Sequence, residues 1–112
     1  MSSSRSVVKA SEVTGVDVKS VTHENLGTVN DIVIDKVFGK VNYVVLDFGG
    51  FLSFGNKFFA LPWHLFTYDP AEDCFIINID KERLKNAPGF DKDNWPNFAD
   101  TQFTAAIDDY YR

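Results

Sequence analysis

Apolar and polar residues alternate over much of the first eighty positions, the period of strands rather than of helices. GVDVKSV (15–21) has this period and ends in the polar THENLG, where Gly27 is free to take a positive φ. TVNDIVID (28–35) is rich in β-branched residues and predicts a second strand. KVFGK (36–40) has the length of a hairpin connection, with Gly39 near its end. VNYVVLDF (41–48) carries the strongest strand pattern, and NKFFALP (56–62) predicts a fourth strand ended by Pro62. CFIINID (74–80) predicts a fifth, set off by the turn YDPAED. Beyond residue 80 the period changes. DKERLKNAPG reads as one or two helical turns capped by Asp80 and stopped by Pro88-Gly89. ADTQFTAAIDDYYR places Phe103, Ile107 and Tyr110 or Tyr111 on one helical stripe, with Asp100 as the N-cap.

Strands first and helix last predict an all-β fold: a small, closed or nearly closed barrel of five or six strands with a short C-terminal helical segment. Residues 1–10 are then a Ser-rich flexible leader, with 7–10 packing as an extended segment. Residues 11–80 form the barrel, and 81–112 form a helical and turn appendage packed on it.

The third strand departs from the simple barrel pattern. Val44, Leu46 and Phe48 share one face while Val41, Tyr43 and Val45 share the other, so both faces are apolar. A barrel needs only its inner face apolar, so the outer one calls for a cover: the C-terminal helix, a second copy, or a partner. The connection after this strand poses a related question. VLDFGGFLSFGNKFFALPW (45–63) sets five phenylalanines around Gly49, Gly50 and Gly55. The glycines permit a sharp turn, but they do not account for Phe51, Leu52 and Phe54. Those three side chains either fold back as a lid on the barrel mouth or project as a docking surface.

At 112 residues the chain is one domain, and its net charge of −5 narrows the partners. The eleven Lys and Arg residues are scattered, with no basic run to neutralise phosphates, which argues against nucleic acid and anionic membranes. Cys74 is alone and forms no internal disulfide, as suits a reducing compartment. MSSSRSVVKA lacks the apolar core of a signal peptide, and no run approaches the roughly 18–20 apolar residues of a membrane span. The expected location is cytoplasmic.

Motifs for chemistry are thin. Asp47-Phe48-Gly49 spells a kinase magnesium motif, but the companion motifs are absent and the chain is too short. GGFLSFGNK lacks phosphate-loop spacing and leads into a strand, not a helix. DKDNWPNFADTQ (91–102) begins like a calcium loop, but Pro96 stands where Gly is needed and Gln102 where Glu is needed. His23 and His64 have no second ligand at metal-like spacing, and Cys74 reads as a small buried hydrophobe. Asp31, Asp35 and Asp47 read as polar positions of half-exposed strands. No metal and no cofactor are expected, and no enzymatic activity.

LGTVNDIVIDKVFGKVNYVVLDFGGFLSFGNKFFALPW resembles a PRC-barrel domain, named for the cytoplasmic part of the photosynthetic reaction-centre H subunit. The likeness is carried by Leu26-Gly27, Ile32-Val33-Ile34-Asp35, Gly39, Tyr43-Val44-Val45-Leu46 and Phe59-Ala60-Leu61-Pro62-Trp63. ERLKNAPGFDKDNWPNFAD is similar to the tail of stand-alone bacterial members, so the likeness spans about residues 12–100. It implies a non-enzymatic adaptor or assembly barrel. Relatives occur in reaction-centre assembly and in a ribosome maturation factor. These residues carry neither the membrane helix of the first nor the extra domain and basic surface of the second, so the stand-alone group is expected.

The expected function is a protein–protein interaction or assembly module that self-associates, a homodimer or higher homo-oligomer. Its expected contact patch is Phe51, Leu52, Phe54 and Phe58, with Tyr43 and Val45 on the outward strand face. The alternative is a small-ligand or catalytic barrel using a mouth near His64, Asp47 and Tyr68.

Overall fold

The structure, a computed structural model, describes residues 8–49 and 57–112. Strands lie at Asp17–Ser20 (β1), Asn25–Asp35 (β2), Lys40–Phe48 (β3), Lys57–Pro62 (β4), Thr67–Asp69 (β5) and Cys74–Ile77 (β6). Helices lie at Ala10–Val13 (α1), Lys81–Lys85 (α2) and Thr101–Tyr110 (α3). The strands form one sheet in the order β4-β3-β2-β1-β6-β5. Its pairings are antiparallel except for β1 with β6, which run parallel.

The order places β4 and β5 at opposite edges of the sheet, yet only Trp63–Phe66 connect them. That connection reaches at most about 17 Å, whereas six flat strands span about 24 Å. The sheet must therefore curl, and Trp63–Leu65 tighten the connection into a 3-10 turn. Among the described residues β4 and β5 do not pair, so the barrel is open along that seam.

Two elements differ from the sequence reading. β5 falls partly within the expected turn YDPAED; three residues are too short to show a period, and Thr67 and Tyr68 are exposed. Residues 10–13 form a helical turn that meets the expected extended segment 7–10 only at Ala10 and otherwise takes the first residues expected in the barrel; the Lys9 amide donates to Glu12 Oε1 at 3.0 Å and closes the turn. The expected caps hold their helices: Asp80 accepts from the Arg83 amide at 2.8 Å and Asp100 from the Gln102 amide at 2.9 Å.

Gly27 does not serve the THENLG turn, where His23 takes the left-handed conformation at φ 66°. It lies inside β2 at φ 143°, and a Cβ there would stand 2.1 Å from the Asp47 carbonyl oxygen. The glycine lets β2 and β3 approach where Thr28 pairs with Asp47.

From Tyr43 to Phe48 both faces of β3 are covered within the chain. Val44, Leu46 and Phe48 are fully buried with Phe59 and Leu61. On the other face, cross-strand pairing sets Tyr43, Val45 and Asp47 beside Pro62, Ala60 and Phe58 of β4. Over these lies the C-terminal appendage. The Phe58 and Phe90 backbones exchange hydrogen bonds of 2.8 and 2.9 Å, and Phe58 packs edge-on against Trp95. Phe98 meets Tyr43, whose hydroxyl donates to Asp108 of α3 at 3.0 Å. Ile107 and Tyr111 of the expected stripe are buried, while Phe103 and Tyr110 are half-buried.

Candidate interaction surface

β2 and β3 are longer than their outer neighbours. β1 pairs with β2 only through Asn25–Thr28, and β4 pairs with β3 only through Tyr43–Phe48. From about Asn30 to Asn42 the two strands therefore run on as a two-stranded ribbon, flanked on neither edge by another strand among the described residues. No residue between 30 and 42 is buried, whereas Val29 and all of Tyr43–Leu46 are.

At the tip of this arm the chemistry is unusual for an exposed turn. Val37 is 81% exposed, Phe38 77% and Ile34 51%. Such side chains would normally be spared from a tip by using polar turn residues. The turn beneath them is firmly built. One carboxylate oxygen of Asp35 accepts from the Val37 and Phe38 amides at 2.9 and 3.1 Å. The Gly39 amide, at φ 71°, donates to the Asp35 carbonyl at 2.7 Å. Asp35 is thus a turn-forming acid, and it holds two apolar side chains outward.

A second exposed apolar area lies at the base of the arm, on the connection between the two sheet edges. Tyr43 pairs with Pro62, so Trp63 follows at the end of the sheet from which the arm leaves. Trp63 and Tyr68 are 39% and 47% exposed. Both pack against the Phe75 ring, at 6.0 and 5.6 Å between centroids, and Trp63 stacks on Phe66 at 6.4 Å.

Beside this aromatic edge stands an acidic turn with Asp69, Glu72 and Asp73. The Tyr68 hydroxyl donates to Asp73, which raises the tyrosine pKa. Lys19 binds Glu72 at 3.0 Å, and that partner raises the lysine pKa. Ligand atoms of Asp69, Glu72 and Cys74 lie within 4.8 Å of one another. Their chemistry is poor for a metal as they stand, because Lys19 already supplies a cation and burial pushes the Cys74 thiol up.

The expected contact residues are divided. Phe51, Leu52 and Phe54 lie outside the described residues. Tyr43, Val45 and Phe58 lie under the appendage at 7%, 0% and 7% exposure, so α3 and Phe90–Phe98 occupy the face expected to meet a partner. The residues expected at a catalytic mouth do not converge. Asp47 pairs with Phe58 and Tyr43 with Pro62, so four residues of β3, about 13 Å, separate Asp47 from the end that leads to His64. One Asp47 carboxylate oxygen is buried without a hydrogen bond, His64 is exposed, and the Tyr68 hydroxyl is engaged by Asp73. A recess of about 180 Å³ opens elsewhere, between Asn25, Leu26, Gly27, Phe48, Gly49 and Lys81. That is smaller than the roughly 300 Å³ at which pockets for small molecules begin.

Sequence reading missed the arm. KVFGK reads as an ordinary hairpin connection, and only the lengths of β1 and β4 reveal that the tip stands clear of the sheet. The signal available was Val37-Phe38 at positions where turns favour Asn, Asp and Gly.

Among the described residues no helix is long and apolar enough to cross a membrane. Residues 6–84 match the model of the PRC-barrel domain, well over half of the chain, and the match ends within α2. No curated protein matches the chain.

Proposed function

The chain belongs to the PRC-barrel family, and from that premise we propose that it is a non-enzymatic bacterial assembly module that works in the cytoplasm by self-association. The family's small barrels are often protein-interaction domains. The observation that carries the reading here is the built turn that holds Val37 and Phe38 at 81% and 77% exposure on a projecting ribbon. Exposed apolar side chains on a fixed support are the form an interaction surface takes, since their burial by a partner loses little conformational entropy. The non-enzymatic part is supported by the separation of Asp47 from His64 along β3.

Light scattering of the purified chain over rising concentration tests self-association. The expected result is a mass of two or more copies; a mass of one copy up to high micromolar concentration overturns it. A tagged pull-down from the native cell, run beside a folded Phe54→Asp variant, tests for contact with other proteins through the glycine-aromatic segment. Loss of a captured partner in the variant assigns docking to Phe54, and unchanged capture places the contact elsewhere.

A further inference from the structure

We propose that the β2–β3 arm is the dimerisation element: Val37 and Phe38 of one copy seat against the Trp63–Tyr68 edge of a second copy, with Lys36 and Lys40 facing its acidic turn. The inference rests on the self-association reading and specifies its contact. Three observations point to a second copy rather than another occupant.

The first is charge. The apex carries Lys36 and Lys40 against the single carboxylate of Asp35, a surplus of positive charge around two apolar side chains, on a chain whose net charge is −5. A cationic tip on an acidic body is complementary to the body of its own twin. The acidic turn of the second copy offers Asp69, Glu72 and Asp73 against one neutralising lysine, Lys19.

The second is apolar matching on one molecule. Phe38 and Val37 need cover, and Trp63 and Tyr68 form an exposed aromatic edge, backed by Phe66 and Phe75, at the same end of the sheet as the base of the arm. Because donor and acceptor surfaces leave from one end, a two-fold axis lets both arms engage at once. That is the isologous arrangement that closes without further growth. Aromatic side chains of this kind are enriched where interfaces concentrate their binding energy.

The third concerns the edges of the arm. A ribbon with open edges would ordinarily invite strand addition. Here the β2–β3 register shifts twice, between Val29 and Asp31 and between Val33 and Ile34. Such bulges twist and bend a ribbon and so disfavour a flat added strand. What remains for contact is the tip.

Sedimentation velocity on the full chain tests this with four proteins: wild type, Phe38→Asp, the arm reversal Lys36→Glu/Lys40→Glu, and the edge reversal Asp69→Lys/Glu72→Lys, which leaves Asp73 against three lysines. The wild type is expected to dimerise. Phe38→Asp is expected to weaken the dimer about tenfold or more, with circular dichroism unchanged, and melting temperature unchanged at a concentration too low for association, because the side chain touches little of the barrel. Each reversal alone weakens association, and an equimolar mixture of the two restores it, since both halves of the mixed dimer then pair opposite charges. A wild type that stays monomeric overturns the self-association reading and this contact together. A wild-type dimer that Phe38→Asp leaves intact, or reversals whose mixture is no stronger than either alone, overturns the arm contact only. Phe38-dependent sedimentation of a monomeric wild type with phosphatidylglycerol vesicles would assign the tip to a lipid surface instead.

Discussion

β3 is one strand with two surroundings. Val41 and Val45 are the same residue in the same strand, four positions apart and on either side of the register shift at Asn42, yet Val41 keeps solvent contact and Val45 is fully buried. Around Val45 the strand has β2 on one side, β4 on the other and the appendage above; at Val41, β2 is the one strand paired with it among the described residues. Burial is thus set by the length of the neighbouring strands, not by the hydrophobicity of the strand itself. The base of the β2–β3 hairpin works as core, and its distal half works as a support for exposed side chains.

The sharpest way to break this contrast is to hollow out the base. Phe59→Ala removes a ring that is fully buried and packs edge-on against Phe48 at 5.9 Å between centroids. The expected loss is about 3–5 kcal/mol, read as a lower midpoint in urea unfolding. A loss below about 1 kcal/mol would mean that the base is not the core of the barrel.

Glycine substitution sets the two halves side by side with one chemistry. At Gly27 an added Cβ meets the Asp47 carbonyl oxygen at 2.1 Å and φ is 143°. Gly27→Ala is expected to cost at least about 2 kcal/mol from strain and clash combined. At Gly39, φ is 71° and nothing lies within 4 Å of the added atom. Gly39→Ala is expected to cost about 1 kcal/mol, from the left-handed conformation alone. Equal losses at the two sites, measured by the same unfolding curves, would erase the distinction between base and arm.

Much of this fold is legible in the sequence, and the exceptions share a cause. Local composition finds β1, β2, β3, β4 and β6, because each is a short run rich in β-branched or aromatic residues bounded by turn residues. The two-faced pattern of β3 asks for a cover, and Phe98, Asp108 and Ile107 of the appendage supply it, one of the candidates that the pattern allowed. β5 escapes notice because it exists through pairing with β6 rather than through its own residues. The arm escapes for the same reason in reverse: its exposure comes from strands that are missing beside it. Tyr43 and Val45 read correctly as a face that needs covering, but no local pattern could say that α3 covers it. The contact residues Phe51, Leu52 and Phe54 lie outside the described residues, and Lys36 and Lys40 mark a cationic tip only once their turn is seen to stand clear of the sheet.

A smaller effect sharpens the comparison through the seam between base and appendage. Burial, and after it the hydrogen bond to Asp108, raises the Tyr43 pKa from 10.0 to about 12. Folding therefore favours the protonated phenol. That contribution is fully present below about pH 10, the unfolded value, and is lost as pH rises toward 12. Tyr111 is shifted upward as well, chiefly by burial, and adds to the same alkaline loss. Tyr43→Phe is expected to cost about 1 kcal/mol at neutral pH, for the bond that Asp108 loses. It should also flatten the fall in stability between pH 10 and 12, followed by melting temperature in that range. An unchanged slope would assign the alkaline loss to groups other than Tyr43.

The smallest expected effect is the most informative about the arm. Phe38→Ser removes a large aromatic residue, and in most proteins such a change is costly because the ring is packed. Here the ring is 77% exposed, so little packing is lost. The turn that carries it is built from the Asp35 carboxylate and the Val37, Phe38 and Gly39 amides, none of which the substitution alters. The unfolded chain also exposes one apolar side chain fewer, which favours the unfolded state and works slightly against the variant. The expected change in the stability of the monomer, measured by unfolding at a concentration too low for association, is within about 0.5 kcal/mol. A loss of 2 kcal/mol or more would show that Phe38 packs back onto its own barrel, and the arm would then belong to the core rather than to a partner. A near-zero change leaves the side chain without a role in the folded monomer, so whatever retains a phenylalanine at this tip must act on it from outside.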